Sequence, residues 1–201
     1  MSKKWMYALF VLLLVVPLAL AACGGDKGEE AKDLSETFES TTGLSFKYPK
    51  GWVAKDTDQG ILLANSEDMM AVAESLDESV APPKGGFAIA FFDPSQMAAL
   101  VSAGQSPRDL AEQLAQFMGD ENTTVGDVKD VKVGDNEGAK VSIASSKDKS
   151  EGYMIVWEDG DTLYVAAVIA HEGELGDFDA TAQKVLESVS YTAPAGDGGE
   201  G

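Results

Sequence analysis

The sequence predicts an α+β fold in which a central antiparallel β-sheet lies between layers of helices. Residues 151–158 and 162–170 have the pattern of two long strands that are apolar on both faces, and such strands need cover on both sides. Between them, Asp159-Gly160 predicts a type I′ hairpin, which makes the two strands antiparallel neighbours. Segments with helical apolar spacing elsewhere in the chain can supply the covering layers.

Earlier strands are predicted from alternation and from turn residues. Apolar and polar residues alternate over 44–48, which predicts a half-buried strand that Pro49 ends. Segments 52–55 and 61–64 are expected to pair as a hairpin around loop 56–60. Further strands are predicted over residues 87–92 and 139–143.

Three helices are predicted from capping residues and apolar spacing. The first follows Ser66, whose hydroxyl can cap it. The second starts at Pro107, behind the capping residue Ser106, and stops at Gly119, and the third covers residues 178–188. The side chains expected to face the core are Met69, Ala73 and Leu76 in the first helix, Leu110, Leu114, Phe117 and Met118 in the second, and Phe178, Ala182, Val185, Leu186 and Val189 in or just after the third.

The composition is strongly acidic. The 201 residues have a formal charge of −19, and residues 1–22 contain two lysines and no acid, so the chain without them carries −21. Such a surface repels phosphate backbones and anionic headgroups, so no nucleic-acid partner is expected. The 179 residues that follow are enough for one domain with a sizeable core.

Residues 1–22 have the three parts of a secretory signal peptide. Two lysines come first, an apolar run over 8–16 follows, and small residues up to Ala22 precede Cys23. A membrane-spanning helix needs roughly 20 apolar residues, so this run is short for a span. An uncleaved N-terminal anchor helix is the alternative.

The segment Leu20-Ala21-Ala22-Cys23 resembles the signal of bacterial lipoproteins. The resemblance implies cleavage between Ala22 and Cys23, a diacylglyceryl thioether on Cys23, and a fatty acyl chain such as palmitate on the new amine. Two or more acyl chains are what stable anchoring requires. The expected location is therefore the extracytoplasmic face of the cell membrane, on the outer side of the plasma membrane or in the periplasm. The alternative for this single cysteine is an ordinary buried thiol.

The rest of the chain divides by composition into three parts. Residues 23–37 are predicted to be a flexible tether, because Gly24 to Asp33 is polar, glycine-rich and without periodicity. Residues 38–192 are expected to form a single globular domain. Residues 193–201 are rich in Gly, Ala and Asp and are predicted to be a disordered tail.

Two segments carry a resemblance to a known superfamily. Gly43-Leu44-Ser45-Phe46-Lys47-Tyr48-Pro49-Lys50-Gly51-Trp52 resembles the opening strand and turn of the PsbP, Mog1 and DcrB-like superfamily. Residues 181–191 resemble its closing helix and the strand after it. The resemblance implies an antiparallel sheet sandwiched by helices, and a non-enzymatic role, since members include photosystem accessory proteins and envelope lipoproteins. It assigns no functional residue.

No catalytic residue, metal ligand or cofactor is predicted. His171 is the single histidine, and a hydrolase triad would need folding to bring a serine and a carboxylate to it. Loops 56–60 and 159–161 place Asp at alternate positions, which suits calcium, but hairpin turns explain the same residues. The methionines that could form a pliable groove or a soft-metal site, and that core packing explains better, are Met69, Met70, Met97 and Met118.

Three functional hypotheses follow. The favoured one is a non-enzymatic, lipid-anchored envelope protein that binds or stabilises a membrane-associated protein complex. The second is a small-molecule or cation binding module that serves a transporter. The third is a hydrolase built on His171.

Overall fold

A computed structural model describes residues 31–58, 60–75, 80–98 and 104–193. The described strands are β1 (Leu34–Glu39), β2 (Leu44–Pro49), β3 (Val53–Thr57), β4 (Gly60–Ala64), β5 (Phe87–Phe91), β6 (Thr123–Val125), β7 (Lys129–Val133), β8 (Asn136–Ser145), β9 (Ser150–Asp159), β10 (Thr162–His171) and β11 (Ser190–Tyr191). The described helices are α1 (Glu67–Ser75), α2 (Pro94–Ala98), α3 (Pro107–Met118) and α4 (Leu175–Glu187).

Eight of these strands form one antiparallel sheet, which confirms the predicted α+β class. Its order is β3-β4-β5-β10-β9-β8-β6, and β7 pairs with the other half of β8. The strands β9 and β10 lie at its centre and pair along their whole length. A second, three-stranded sheet has the order β1-β2-β11. The sequence predicted β2 but not this second sheet, because β1 is mostly exposed and β11 is two residues long and far from β2 in the chain.

Both faces of the central strands are covered, as their apolar pattern predicts. On one face lie α4 and the small sheet, joined to the large sheet by stacked rings: Phe46 on Phe91 at 4.7 Å and Phe87 on Phe178 at 4.8 Å between centroids. On the other face lie α1, α2 and α3. Met69, Met70 and Met97 are buried there and Met118 packs against the same layer, so the prediction that these methionines fill the core is confirmed.

The β9–β10 hairpin is present, but its turn type differs from the prediction. Asp159 pairs with Thr162, so the loop residues are Gly160 and Asp161. Gly160 has φ of 61°, and Asp161 is not among the residues with positive φ. A type I′ turn needs positive φ at both positions, whereas type II′ needs it at the first alone. The turn therefore follows the type II′ pattern, with glycine at the position that requires it.

The starts of α1 and α3 agree with the sequence, whereas α4 starts at Leu175, three residues before the predicted residue 178, and one core assignment is wrong. The Ser66 hydroxyl accepts from Met69 N, and the Ser106 hydroxyl accepts from Asp109 N, which completes a capping box at α3. Phe117, predicted to face the core, is 80% exposed. The side chains of α3 that pack inward are Leu110, Ala111, Leu114, Ala115 and Met118. Phe117 lies at the edge of the face that they form, so its spacing from Leu110 predicted burial wrongly.

The predicted tether is too long at its C-terminal end. Residues 34–37 of the range 23–37 belong to β1, which pairs with β2 and packs Phe38 against Phe46 at 5.5 Å between centroids. Just before β1, Lys32 N donates to Thr181 Oγ1 at 3.1 Å, and Lys184 Nζ donates to the Ala31 carbonyl at 3.2 Å. The chain is thus bound to α4 before the first strand begins.

Several predictions concern residues outside the described ranges. These are the signal peptide 1–22, the lipidation site Cys23, Leu76 of the first predicted helix, and the tail from residue 194 onward. Within the described ranges, none of the helices has the length and apolar character that a membrane crossing requires.

Gly152 in β9 gives a stability test. A Cβ at this position would lie 1.9 Å from the Val168 carbonyl oxygen of β10. Gly152→Ala should therefore lower the free energy of unfolding by about 1–3 kcal/mol, since the central strands must move apart. Gly176→Ala is the matched control, because Gly176 lies in α4 and a Cβ added there would have nothing within 4 Å. This control should raise the free energy of unfolding by about 0.5–1 kcal/mol. Urea denaturation measures both, and a neutral Gly152→Ala would contradict the close approach of β9 and β10.

Candidate functional site

A cleft of about 410 Å³ opens between the β3–β4 hairpin, α1 and the end of β5, and is called here the hairpin cleft. Its apolar lining includes Leu62, Ala73 and Ala90. Lys55 and Glu74 form an ion pair at its rim, joining the hairpin to α1. The size is within the range of small-ligand sites, which also need a few polar groups directed at the ligand.

Two polar side chains of the hairpin cleft, Asp56 and Thr57, form hydrogen bonds within the chain. Asp56 accepts from the Ser40 hydroxyl at 2.6 Å and from Thr41 N at 3.2 Å, and Thr57 Oγ1 donates to the Gly60 carbonyl at 2.8 Å. These bonds account for loop 56–60 as a hairpin turn, and loop 159–161 is a hairpin turn as well. Among the described residues, no group of three His, Cys, Asp or Glu side chains is placed to hold a metal ion.

His171 lies at the end of β10, half-buried, with Nδ1 3.1 Å from the Glu172 carbonyl oxygen. Its partner in the strand register is Ser150. A triad requires the serine hydroxyl to donate to the histidine. Here the Ser150 hydroxyl donates to Asp148 at 2.8 Å instead. Folding therefore brings a serine and a carboxylate to this edge, but in the wrong hydrogen-bonding order for a triad.

The Phe117 surface is the C-terminal turn of α3 together with Asp120 and Glu121. Phe117 is 80% exposed, whereas the other described phenylalanines are buried or half-buried. Both acidic residues are exposed, and no basic residue occupies the last turn of α3. The two acids after the helix-ending Gly119 are visible in the sequence and indicate that this end of α3 faces solvent. The apolar stripe nevertheless assigned Phe117 to the core.

Negative charge exceeds positive charge at the Phe117 surface, where Asp120, Glu121 and the helix end outweigh one nearby cation, Lys147. A helix C-terminus carries roughly half a negative charge. The backbone N–H of Asn122 donates to Asp120 Oδ1 at 2.7 Å, and this bond holds the pKa of the Asp120 carboxyl below its usual range. The carboxylate is therefore ionised and fixed beside the helix end. An exposed aromatic ring bordered by negative charge suits a partner with basic residues around an apolar side chain.

Tyr153 is the most strongly perturbed titratable group described. It lies in β9, is 4% exposed, and its hydroxyl interacts with the carboxylate of Asp179 on α4. Burial raises the pKa of Tyr153, and the negative charge of Asp179 raises it further. The sequence identified Tyr153 only as part of a strand apolar on both faces, so its polar contact was missed.

Comparison with known proteins adds two structural similarities. No protein-family model matches the chain, and no curated protein sequence does either. The solution structure of cyanobacterial PsbP (CyanoP) from Synechocystis sp. PCC 6803 is similar at 12% identity with a TM-score of 0.48, over 85% of this chain and 98% of that one. A crystal structure from Bacteroides thetaiotaomicron VPI-5482 is similar at 16% identity with a TM-score of 0.45, over 80% of this chain and 49% of that one.

This chain thus spans about half the length of the Bacteroides protein. The first structure carries a name of the superfamily that the sequence resembles. With TM-scores below 0.5, neither similarity bears on the function of this chain.

The raised pKa of Tyr153 predicts a loss of stability in strong base. An unfolded tyrosine ionises near pH 10, whereas the folded phenol stays neutral to higher pH. Its contribution to stability is therefore complete below pH 10 and is lost as the pH rises toward the folded pKa. Between pH 10 and 12 the free energy of unfolding should fall more steeply in the wild type than in Tyr153→Phe, by up to about 1.4 kcal/mol per pH unit.

Urea denaturation at intervals from pH 9 to 12 measures this difference in slope. The comparison at pH 9 serves as the control, since it isolates the effect of removing the hydroxyl itself. Equal slopes for the two proteins above pH 10 would contradict the raised pKa.

Proposed function

We propose that this chain is a lipid-anchored, non-enzymatic accessory protein on the extracytoplasmic face of a membrane, where it binds a protein partner in a membrane-associated complex. The observation that carries the binding role is the exposure of Phe117 on an otherwise well-packed helix. The sequence pattern at Ala22 and Cys23 supports the anchor, and the superfamily resemblance supports an accessory role.

The anchor follows from the lipoprotein signal and is tested separately from partner binding. Mass spectrometry of the protein from its native membrane should find a chain that begins at Cys23 and carries a diacylglyceryl group on its sulfur. A free thiol with residues 1–22 still attached would remove the anchor from the proposal and leave the Phe117 surface unaffected.

Phe117 supports partner binding on energetic grounds. Burying a phenylalanine side chain stabilises by about 1.5–3 kcal/mol, and α3 forgoes most of this gain at Phe117. Aromatic anchors of this kind supply much of the affinity of protein interfaces when a partner covers them. The acids beside Phe117 favour a partner segment in which basic residues flank an apolar side chain.

A photo-crosslinking amino acid at position 117, in intact cells of the native host, should repeatedly capture the same protein. Phe117→Ala should weaken co-purification of that protein at least tenfold, because the anchor is lost. The same substitution should change the free energy of unfolding by less than about 0.5 kcal/mol, since the side chain is exposed.

Two matched controls lie on the same helix. Gln116 is an exposed neighbour, so the crosslinker placed there and the variant Gln116→Ala should both have little effect. Leu110 is 1% exposed, so Leu110→Ala should destabilise the fold by about 2–5 kcal/mol. Capture of no consistent protein at position 117, or equal capture at 116 and 117, would exclude this surface as the docking site.

A further inference from the structure

A second cleft, of about 360 Å³, lies between α4 and the strands β7, β8 and β9, and is called here the helix–sheet cleft. Val131 and Ile155 on the sheet and Ala180 on the helix give it an apolar lining. Lys140 comes from the sheet wall and Asp179 from the helix wall. The cleft is at the small end of the range for ligand sites, which suits a ligand of few atoms.

Tyr153 lies between the two charged groups. The Lys140 ammonium is 4.6 Å from the centroid of the Tyr153 ring, and the Asp179 carboxylate interacts with the hydroxyl of the same ring. Among the described residues the ion pairs involve Lys55 and Arg108, and Lys140 and Asp179 do not pair with each other.

Lys132 also lines the cleft, where its carbonyl accepts from Gln183 Nε2 at 3.2 Å. Its neighbours Val131 and Val133 pack toward α4, so the Lys132 side chain extends to the other face of the sheet. The side chains of Lys140 and Asp179 therefore give this cavity one positive and one negative group, both beside the Tyr153 ring.

This arrangement differs from that of the hairpin cleft. There the two opposite charges, Lys55 and Glu74, neutralise each other across the rim. In the helix–sheet cleft each charged group contacts Tyr153 and not the other charged group, so neither charge is neutralised within the described part of the chain. Two opposite charges beside an apolar lining favour a ligand that carries both charges together with an apolar group.

We propose that the helix–sheet cleft binds a neutral, zwitterionic α-amino acid. Lys140 binds the ligand carboxylate, Asp179 binds the ligand ammonium group, and Val131 and Ile155 contact an aliphatic side chain. The site is independent of the proposed partner binding, because Phe117 lies on the opposite face of the large sheet. If an experiment contradicts one of the two proposals, the other is unaffected.

Calorimetric titration of the full chain with three matched probes tests the proposal. L-leucine carries both charges, leucinamide lacks the carboxylate, and 4-methylpentanoate lacks the ammonium group. Leucine should bind at least tenfold more tightly than either of the other two. No heat with leucine at concentrations up to 10 millimolar (roughly −2.7 kcal/mol of binding free energy) would overturn the proposal, and so would leucinamide binding as tightly as leucine.

Two variants assign the charges to their residues. Lys140→Met keeps the stem over Tyr153 and removes the charge, so it should weaken leucine and 4-methylpentanoate at least tenfold and leave leucinamide unchanged. Asp179→Asn keeps an acceptor for the Tyr153 hydroxyl and should weaken leucine and leucinamide while leaving 4-methylpentanoate unchanged. A merely structural role for either residue would weaken all three probes alike, and that result would overturn the assignment.

Matched control variants come from the same elements. Lys129 is exposed and pairs with Lys140 across β7 and β8, but does not line the cleft. Asp177 is exposed in the first turn of α4 and does not line it either. Lys129→Met and Asp177→Asn should leave leucine affinity within twofold of the wild type. An effect as large as that of Lys140→Met or Asp179→Asn would show general charge attraction and overturn the proposed site.

Discussion

The structure depends on the burial of β9 and β10 on both faces. Tyr153, Ile155 and Trp157 pack on one side of β9, and Met154 and Val156 pack on the other. A strand pair of this kind would expose apolar surface to water on whichever side lacked cover. The two helical layers and the small sheet are thus required by the same ten-residue strands. Each of the two clefts opens where one of these covering layers meets the large sheet.

Much of the fold could be predicted from patterns among residues that are close together in the sequence. Apolar patterns identified β2 to β5 and β8 to β10, and Ser106 followed by Pro107 identified the start of α3, because both depend on residues close in the chain. The short strands β6 and β7 were not predicted. The small sheet could not be found in this way. Alternation predicted β2 itself, but its partner Ser190 in β11 lies 145 residues from Ser45, and β1 is mostly exposed, so the pairing of these strands has no strong local signal.

The candidate sites were harder to predict than the fold. Phe117 continues the spacing of Leu110 and Leu114, but the packing of Ala111, Ala115 and Met118 turns the buried face of α3 away from it. Lys140 and Asp179 come from a strand and a helix 39 positions apart in the chain, and only the packing of α4 on the large sheet places them around Tyr153. Three-dimensional placement, more than residue type, creates both sites.

The hydrogen bonds between residues 31–32 and α4 limit where the domain can lie relative to a membrane anchor. They fix the point where the chain leaves the domain, beside Thr181 and Lys184. If Cys23 carries the lipid that we propose, the eight residues to Ala31 limit the distance between the anchor and the domain to at most about 29 Å. The diameter of a domain of this size is larger than this distance. Residues 31–32 lie against α4, whereas α3 and Phe117 lie on the opposite face of the large sheet. The proposed membrane anchor and the proposed protein partner would therefore approach the domain from different sides.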